Sequence, residues 1–232
     1  MRYLVIDRST RCPGLAVFEG GGLVFEHVWL GEPSRAPEWM ADVERQLADR
    51  NIPVASLEGF VCGVGPGSFS GIRAGLAALS GLALPGGKPV YGVASAAALA
   101  LGHADAERVT VVGDARRNRL WCVTYRVNAG AGRVQLGDGR SPSHTAEDFQ
   151  LVPSEALATS VPDGTRIVTA DWDRLEATLL AAFDESRLVR RSEFPRPAAL
   201  GALALADPAS CVLEPLPIYL HPAVASPGGH AV

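Results

Sequence analysis

Apolar residues along this chain fall in short runs, each closed by glycine, proline or an acid. Tyr3-Leu4-Val5-Ile6 is a continuous apolar run ending at Asp7, the pattern of a buried strand. The polar turn 8–14 follows. Leu15-Ala16-Val17-Phe18 then reads as a second strand, Gly20-Gly21-Gly22 as a hairpin turn, and Leu23 to Leu30 as a third strand. Pro33 to Arg50 has helical spacing: Trp39, Met40, Val43 and Leu47 make one apolar stripe. Ser34 is its cap, Pro37 suits the first turn, and Glu38 complements the helix dipole. Gly59-Phe60-Val61-Cys62 and Val90-Tyr91-Gly92-Val93 are further strands, and Ser95 is predicted to cap a helix over 96–101. After a hinge at 102–105 the opening pattern returns. Val109-Thr110-Val111-Val112 leads to Asp114, a turn spans 115–119, and Leu120 to Tyr125 is the next strand. Strand, acid, turn and strand occur twice, at Asp7 and Asp114, which predicts two related halves, 1–104 and 105–210.

The rest of the second half carries weaker signals. The stretch 128–148 is polar and glycine-rich and is predicted to be mobile. A strand covers 166–169, and Asp173 caps a helix through Phe183 with Leu175, Leu179 and Leu180 inward. Pro197 to Ala206 is a last helix. The segment 213–222 is too proline-rich for a helix, so the tail, 211–232, is predicted to run extended over the body and to fray from Val224 to Val232.

The chain centres on Gly63 to Arg73, where a buried strand passes through Gly65-Pro66-Gly67-Ser68-Phe69-Ser70-Gly71-Ile72-Arg73 into a small-residue helix running to Leu84. Strand, glycine turn and helix is where an α/β protein places a ligand or partner surface. Ser68 or Ser70 could cap that helix. The turn is not a Walker loop, since the only lysine is Lys88, and it lacks the spacing G-x-G-x-x-G. Two readings stay open: free amides at the helix start holding a phosphate, or a tight turn that packs helix on sheet. Asp7 divides likewise, between holding a hydrated Mg²⁺ with Ser9 and Thr10 and capping its own turn. Ala74, Gly75, Ala77, Ala78 and Gly81 make most faces of the helix small, which suits either the chain's own sheet or a helix of a second chain.

Composition narrows these choices. The 232 residues are 47% hydrophobic and 20% charged, ordinary for a soluble globular protein. The net charge of −4 supplies no global attraction to nucleic acid, so an RNA role needs a local arginine patch or a partner. Met1 to Asp7 carries an acid too early for a secretory leader, and no apolar run reaches membrane-spanning length. The cysteines, Cys12, Cys62, Cys122 and Cys211, lack C-x-x-C spacing, and the five histidines form no H-x-x-x-H pair. Reduced, buried thiols in a cytoplasmic protein without a metal site are the expectation.

Four blocks in order carry a family likeness: Val5-Ile6-Asp7 with Ser9-Thr10, Gly65 to Arg73, Asp114-Ala115-Arg116, and Pro217-Ile218-Tyr219-Leu220. Together they resemble the TsaB (YeaZ) family of tRNA threonylcarbamoyladenosine biosynthesis. The motif turn comprises Gly65, Pro66, Gly67, Ser68, Phe69, Gly71 and Arg73, with Ser70 where Thr is usual. The resemblance implies an actin-like ATPase fold (ASKHA, the sugar kinase/Hsp70 type) with two βββαβα-like halves. It also implies a non-catalytic subunit with no cofactor of its own, in which Asp7 and Asp114 are vestiges of a nucleotide site. ATP, Mg²⁺ and a metal ion would belong to its partners, a TsaD-like paralogue and a TsaE-like ATPase. The complex would transfer threonylcarbamoyl to adenosine 37 of tRNAs that read codons starting with A.

The family pairs through helices matching Pro37–Arg50 and Ile72–Leu84, which places Trp39, Met40, Val43, Leu47, Ile72, Leu76, Ala77, Leu79 and Ser80 at a partner interface. In isolation a homodimer is expected, with tRNA reached through the complex. Some positions depart from the family: Arg8, Ser34-Arg35-Ala36-Pro37, Ala170 and His221. Arg8 would crowd a phosphate turn, and Ala170 adds a Cβ where a base would pack. Two other readings compete: a small-molecule kinase of the same superfold using Asp7 and Asp114 around Mg-ATP, and a stand-alone homodimeric binding module.

Overall fold

The computed structural model describes residues 1–29 and 38–221. In chain order its elements are β1 (Arg2–Asp7), β2 (Gly14–Glu19), β3 (Gly22–Val28), α1 (Glu38–Ala48), β4 (Gly59–Gly63), α2 (Phe69–Ala83), β5 (Val90–Val93) and α3 (Ser95–Leu101). The second half continues with β6 (Arg108–Arg116), β7 (Arg119–Asn128), β8 (Arg133–Leu136), β9 (Gln150–Pro153), α4 (Leu157–Ser160), β10 (Arg166–Thr169), α5 (Trp172–Ala182), α6 (Pro197–Ala206) and β11 (Val212–Leu213). The expected residues Leu30 and Ser34-Arg35-Ala36-Pro37, and the expected fraying from Val224, lie outside the described residues.

The two halves share one plan. In the first sheet, order β11-β5-β4-β1-β2-β3, β1 runs antiparallel to β2 and parallel to β4. In the second, β6 runs antiparallel to β7 and parallel to β10. Each half is a hairpin followed by a crossover that returns a parallel strand beside the first. The inner strands β1 and β4 are covered on both faces, which is why Leu4-Val5-Ile6 and Phe60-Val61-Cys62 are unbroken apolar runs. Where the first sheet has β5, the second keeps a single parallel bridge, Ile167 to Leu188.

Helices and sheets alternate in layers. α2 packs on β4, β1 and β5, whereas α3 and α6 lie together between the sheets. α6 touches β1, β2 and β4 of the first sheet and β8 of the second, and α5 packs on β6. A continuous core therefore joins Leu4, Phe60 and Leu79 of the first half to Val111, Tyr125 and Leu200 of the second. α6 is apolar nearly all round because it is buried between layers. Gly201 allows this approach: a Cβ there would run into the Phe18 ring. The tail returns to the first sheet, where β11 pairs antiparallel with β5 and Ile218 N donates to Val64 O at 2.9 Å. Among the described residues no helix is long and apolar enough to cross a membrane.

Three local expectations change. The stretch 128–148 is not one mobile loop. Val134 and Leu136 are buried on β8, alternating with exposed Arg133 and Gln135, and this two-residue period outweighs the polar composition. Asp173 is not the cap of α5; it lies in the helix's first turn, after Trp172, and its carboxylate is drawn to Arg11. Ser95 does not cap α3 either, because its hydroxyl is committed elsewhere.

His144 joins the 137–149 segment to the first half. Its Nδ1 accepts from Ala94 N at 3.2 Å, while Asp148 accepts from His144 N and from the Ser143 amide and hydroxyl. Burial holds the His144 pKa below the ordinary imidazole value, with Asp148 and Asp207 acting weakly the other way. A depressed histidine leaves the folded state short of a proton that the unfolded chain takes up. Stability is accordingly predicted to be flat above about pH 7 and to fall as pH drops below ~6.5. His144→Asn keeps an acceptor for Ala94 N and tolerates the residue's φ of 54°. Urea unfolding at a series of pH values should show a shallower acid loss in this variant, with the remainder from half-buried His103, whose pKa burial also lowers.

Candidate functional site

The site begins where β1 ends. Asp7 is fully buried. Its Oδ1 accepts from Ser9 N at 2.9 Å and Ser9 Oγ at 2.8 Å, and its Oδ2 accepts from Ser95 Oγ at 2.5 Å. Ser95 Oγ in turn accepts from Gly65 N at 3.1 Å, and Ser95 N donates to Gly65 O at 2.8 Å. One carboxylate thus fastens β1, the start of α3 and the glycine turn. Gly63 makes room for it, since a Cβ at that position would sit on Asp7 Oδ2. Burial pushes the Asp7 carboxyl up from its ordinary value, and the bonds from Ser95 and Ser9 pull it partly back. Burial, with Asp7 beside it, also pushes the Cys62 thiol up, so that thiol is no nucleophile.

The two turns press backbone against backbone. Ser68 N donates to Ser9 O at 2.6 Å. A Cβ at Gly67 would strike that same carbonyl, and one at Gly71 would strike Arg8 O. Gly65 has φ +96°, a conformation that favours glycine, and the Gly65–Pro66 peptide is cis. Ser68, rather than Ser70, caps α2 by accepting from Gly71 N at 3.3 Å. Carbonyls of Arg8 and Ser9 therefore occupy the approach to the helix start, where a phosphate would have to come. The Arg8 side chain does not crowd this turn; its backbone carbonyl does. Its guanidinium lies 4.1 Å over the Trp39 ring, between α1 and α2, with Nε and Nη1 buried and without hydrogen bonds. Burial lowers its pKa.

The equivalent acid of the second half sits differently. Asp114 is partly exposed; its Oδ1 accepts from Arg116 N at 2.7 Å, and its Oδ2 faces Arg116 Nη1 at 3.0 Å and Arg174 Nη1 at 3.6 Å. Its own amide donates to Asp171 Oδ2 at 3.1 Å. Asp7 is enclosed by hydroxyls and Asp114 is bracketed by arginines. Arg11 from the first turn pairs with Asp173 of α5 at 2.5 Å, linking the halves. Ala170 is half-buried just past β10, and His221 Nε2 lies 2.6 Å from Ala115 O.

The structure divides the residues expected at a partner interface. Trp39, Val43, Leu47, Ile72, Leu76 and Leu79 are buried in the chain's own core, because the helices turn their large side chains onto the first sheet. Met40 is partly buried against the same core. Only Ala77 and Ser80 face outward, and with Arg73, Gly81 and Leu84 they form one exposed stripe along α2. Phe69, at the head of the helix, is also exposed.

Residues 38–139 match the model of the family described as "TsaD: tRNA N6-adenosine threonylcarbamoyltransferase". An uncharacterized protein of Mycobacterium tuberculosis is 34% identical over 192 residues, covering 78% of this chain and 90% of that protein. The TsaB proteins of tRNA threonylcarbamoyladenosine biosynthesis are similar over a shorter span: that of Escherichia coli is 30% identical over 129 residues, 54% of this chain and 55% of the relative. YeaZ from Pseudomonas aeruginosa superposes with a TM-score of 0.73 at 23% identity, covering 91% of this chain and 96% of that one. The chain belongs to the TsaB (YeaZ) family. Its fold is the actin-like ATPase fold of that family, as the four sequence blocks imply.

The sequence of this TsaB-family chain marks Asp7 and the glycine turn, and its reading of Asp7 as the cap of its own turn matches the bond from Ser9 N, but the link from Asp7 to the glycine turn through Ser95 was not visible. Ser95 was visible only as a cap, and Gly63 only as the end of a strand. Arg11 and Asp173 carry no local signal at all, since their pairing spans the two halves.

Replacing Asp7 separates a structural clamp from a metal or nucleotide ligand. Asp7→Ala leaves the Ser9 amide and the hydroxyls of Ser9 and Ser95 unpaired in a buried site and is predicted to cost about 2–4 kcal/mol. Asp7→Asn keeps an acceptor for Ser9 and removes the buried charge, so it should cost less than ~1.5 kcal/mol. The sign follows from the raised carboxyl: ionisation opposes folding as pH rises through the folded-state pKa, and Asn removes that opposition. Urea unfolding at neutral pH should rank Asn well above Ala, and the reverse order would contradict the clamp.

Proposed function

We propose that this chain acts in tRNA threonylcarbamoyladenosine biosynthesis as a non-catalytic accessory subunit. In this reading it pairs in the cytoplasm with a TsaD-like protein, which with a TsaE-like ATPase transfers threonylcarbamoyl to adenosine 37 of tRNAs that read codons starting with A. The observation that carries it is the Asp7 cage. A Mg²⁺-nucleotide site of this superfold needs an accessible carboxylate and an open approach to the turn, and here the carboxylate is taken up by Ser9 and Ser95 and the Ser68 amide by the Ser9 carbonyl. That observation speaks against the small-molecule kinase. ATP, Mg²⁺ and the metal ion then belong to the partner subunits.

The C-terminal part of the α2 stripe, from Ala77 to Leu84, supplies the docking face. Ala77, Ser80 and Gly81 carry so little side chain that a partner helix can approach closely, and Leu84, 81% exposed, offers an apolar anchor at the end. The same stripe would let the isolated chain form a homodimer.

Ala77→Arg and Gly81→Arg test the stripe without disturbing the fold: Ala77 is exposed, and a Cβ at Gly81 meets nothing within 4 Å. Either variant should lose co-purification with the TsaD-like protein while its thermal midpoint stays within a few degrees of the parent. In a reconstituted ATP-dependent transfer assay the same variants should abolish modification. Transfer that proceeds equally well without this chain would remove the accessory role.

A further inference from the structure

A strip of exposed side chains crosses from the head of α2 to the first turn of the second half and has no part in the Asp7 cage. The Arg73 guanidinium lies 4.9 Å over the Phe69 ring, and the Phe69 ring lies 5.4 Å from that of Tyr219. Both rings are open to solvent, Phe69 at 56% and Tyr219 at 47% exposure. Two residues further along the tail, His221 Nε2 reaches Ala115 O at 2.6 Å, which ties the strip to the β6–β7 turn. That turn is Arg116-Arg117-Asn118-Arg119, exposed throughout.

Charge within the strip runs against the chain's net −4. Asp114 neutralises Arg116, but Arg73, Arg117 and Arg119 have no acidic partner among the described residues. Arg116, Arg117 and Asn118 have φ of 67°, 55° and 56°, so consecutive non-glycine residues are held in the left-handed region at the tip. Each is uncommon there, and together they keep the tip tight.

Guanidinium groups fork onto phosphate oxygens, and exposed aromatic faces accept unpaired bases. Two adjacent exposed rings with arginines on either side match the chemistry of single-stranded nucleic acid better than that of an acidic peptide, which would leave the rings unused. We infer that the strip formed by Arg73, Phe69, Tyr219, Arg117 and Arg119 binds single-stranded RNA, its rings stacking on unpaired bases and its arginines holding the phosphates between them. The inference rests on the tRNA reading above and deepens it: this chain contributes its own contact to the RNA beside the partner subunit.

The test uses the complex of this chain with its TsaD-like partner and, as probe, an unmodified tRNA transcript that reads a codon starting with A. Binding is followed by fluorescence anisotropy over a range of salt concentrations. The double variant Arg117→Asn, Arg119→Gln, in which Asn tolerates the left-handed backbone, should weaken binding about tenfold and reduce the slope of log K against log salt by roughly two. Tyr219→Ala should weaken binding about five- to tenfold and leave the slope unchanged, because stacking displaces no counterions. Thermal unfolding of both should match the parent, since all three side chains are exposed. Unchanged affinity and slope in an intact complex overturn the RNA surface and leave the accessory role standing. Loss of the TsaD-like partner with RNA affinity unchanged also overturns it and marks the strip as a protein-docking surface. If the two proteins do not associate at all, the accessory reading fails by itself, and the same variants measured on this chain alone still decide the strip.

Discussion

A carboxylate with no contact to water must have both oxygens hydrogen-bonded, and Asp7 meets that requirement with groups from two distant parts of the chain. Ser9 satisfies one oxygen from the turn after β1. Ser95 satisfies the other from the start of α3, and passes the connection to Gly65. The consequences spread outward. β4 has to end in a residue without a side chain, because Asp7 lies across Gly63. The glycine turn has to come within contact of Arg8 and Ser9, and that closeness sets where α2 starts and which face it turns to the sheet. α3, in turn, is fixed against the centre of the molecule, where α6 packs beside it.

The two halves show how one backbone plan accepts different chemistry. Both place an acid where the first strand meets its hairpin partner, and both return a parallel strand and a helix behind it. In the first half the acid is buried and its neighbours are hydroxyls. In the second it reaches solvent, and arginines surround it. Burial decides the difference. A closed site needs small uncharged donors, whereas an open one tolerates long cationic side chains whose charge is screened by water. The Arg11–Asp173 pair and the His221 contact with Ala115 then join the halves at the level of these turns.

α2 illustrates why a helix composed for close approach has two uses at once. Ile72, Gly75, Leu76 and Leu79 settle on the first sheet. The opposite stripe keeps Ala77, Ser80 and Gly81 outside, so the same small-residue composition leaves a second close-packing surface unused within the chain. Composition alone does not separate these faces, since both are apolar or small. Trp39, Val43 and Leu47 are a related case, because an apolar stripe looks alike whether it meets its own sheet or another protein.

Much of the architecture was legible in order along the chain. Buried strands announced themselves as apolar runs, the hairpin by its glycines, and the repeated strand–acid–turn–strand by its spacing. The four family blocks named the fold because they mark positions where backbone shape leaves few residue choices. β8 was not legible, because its alternation covers only four residues inside a polar, glycine-rich stretch, and β9 and α4 did not stand out from their surroundings. The local sequence determined which segments fold and where the polar groups lie. Only the tertiary structure decided which groups meet: Ser95 with Asp7, Arg11 with Asp173, His221 with Ala115. The reason is physical. A strand or helix is specified by neighbours a few residues away, whereas the partner of a buried carboxylate is whichever donor the packed layers carry to it, and for Asp7 that donor lies 88 residues along the chain.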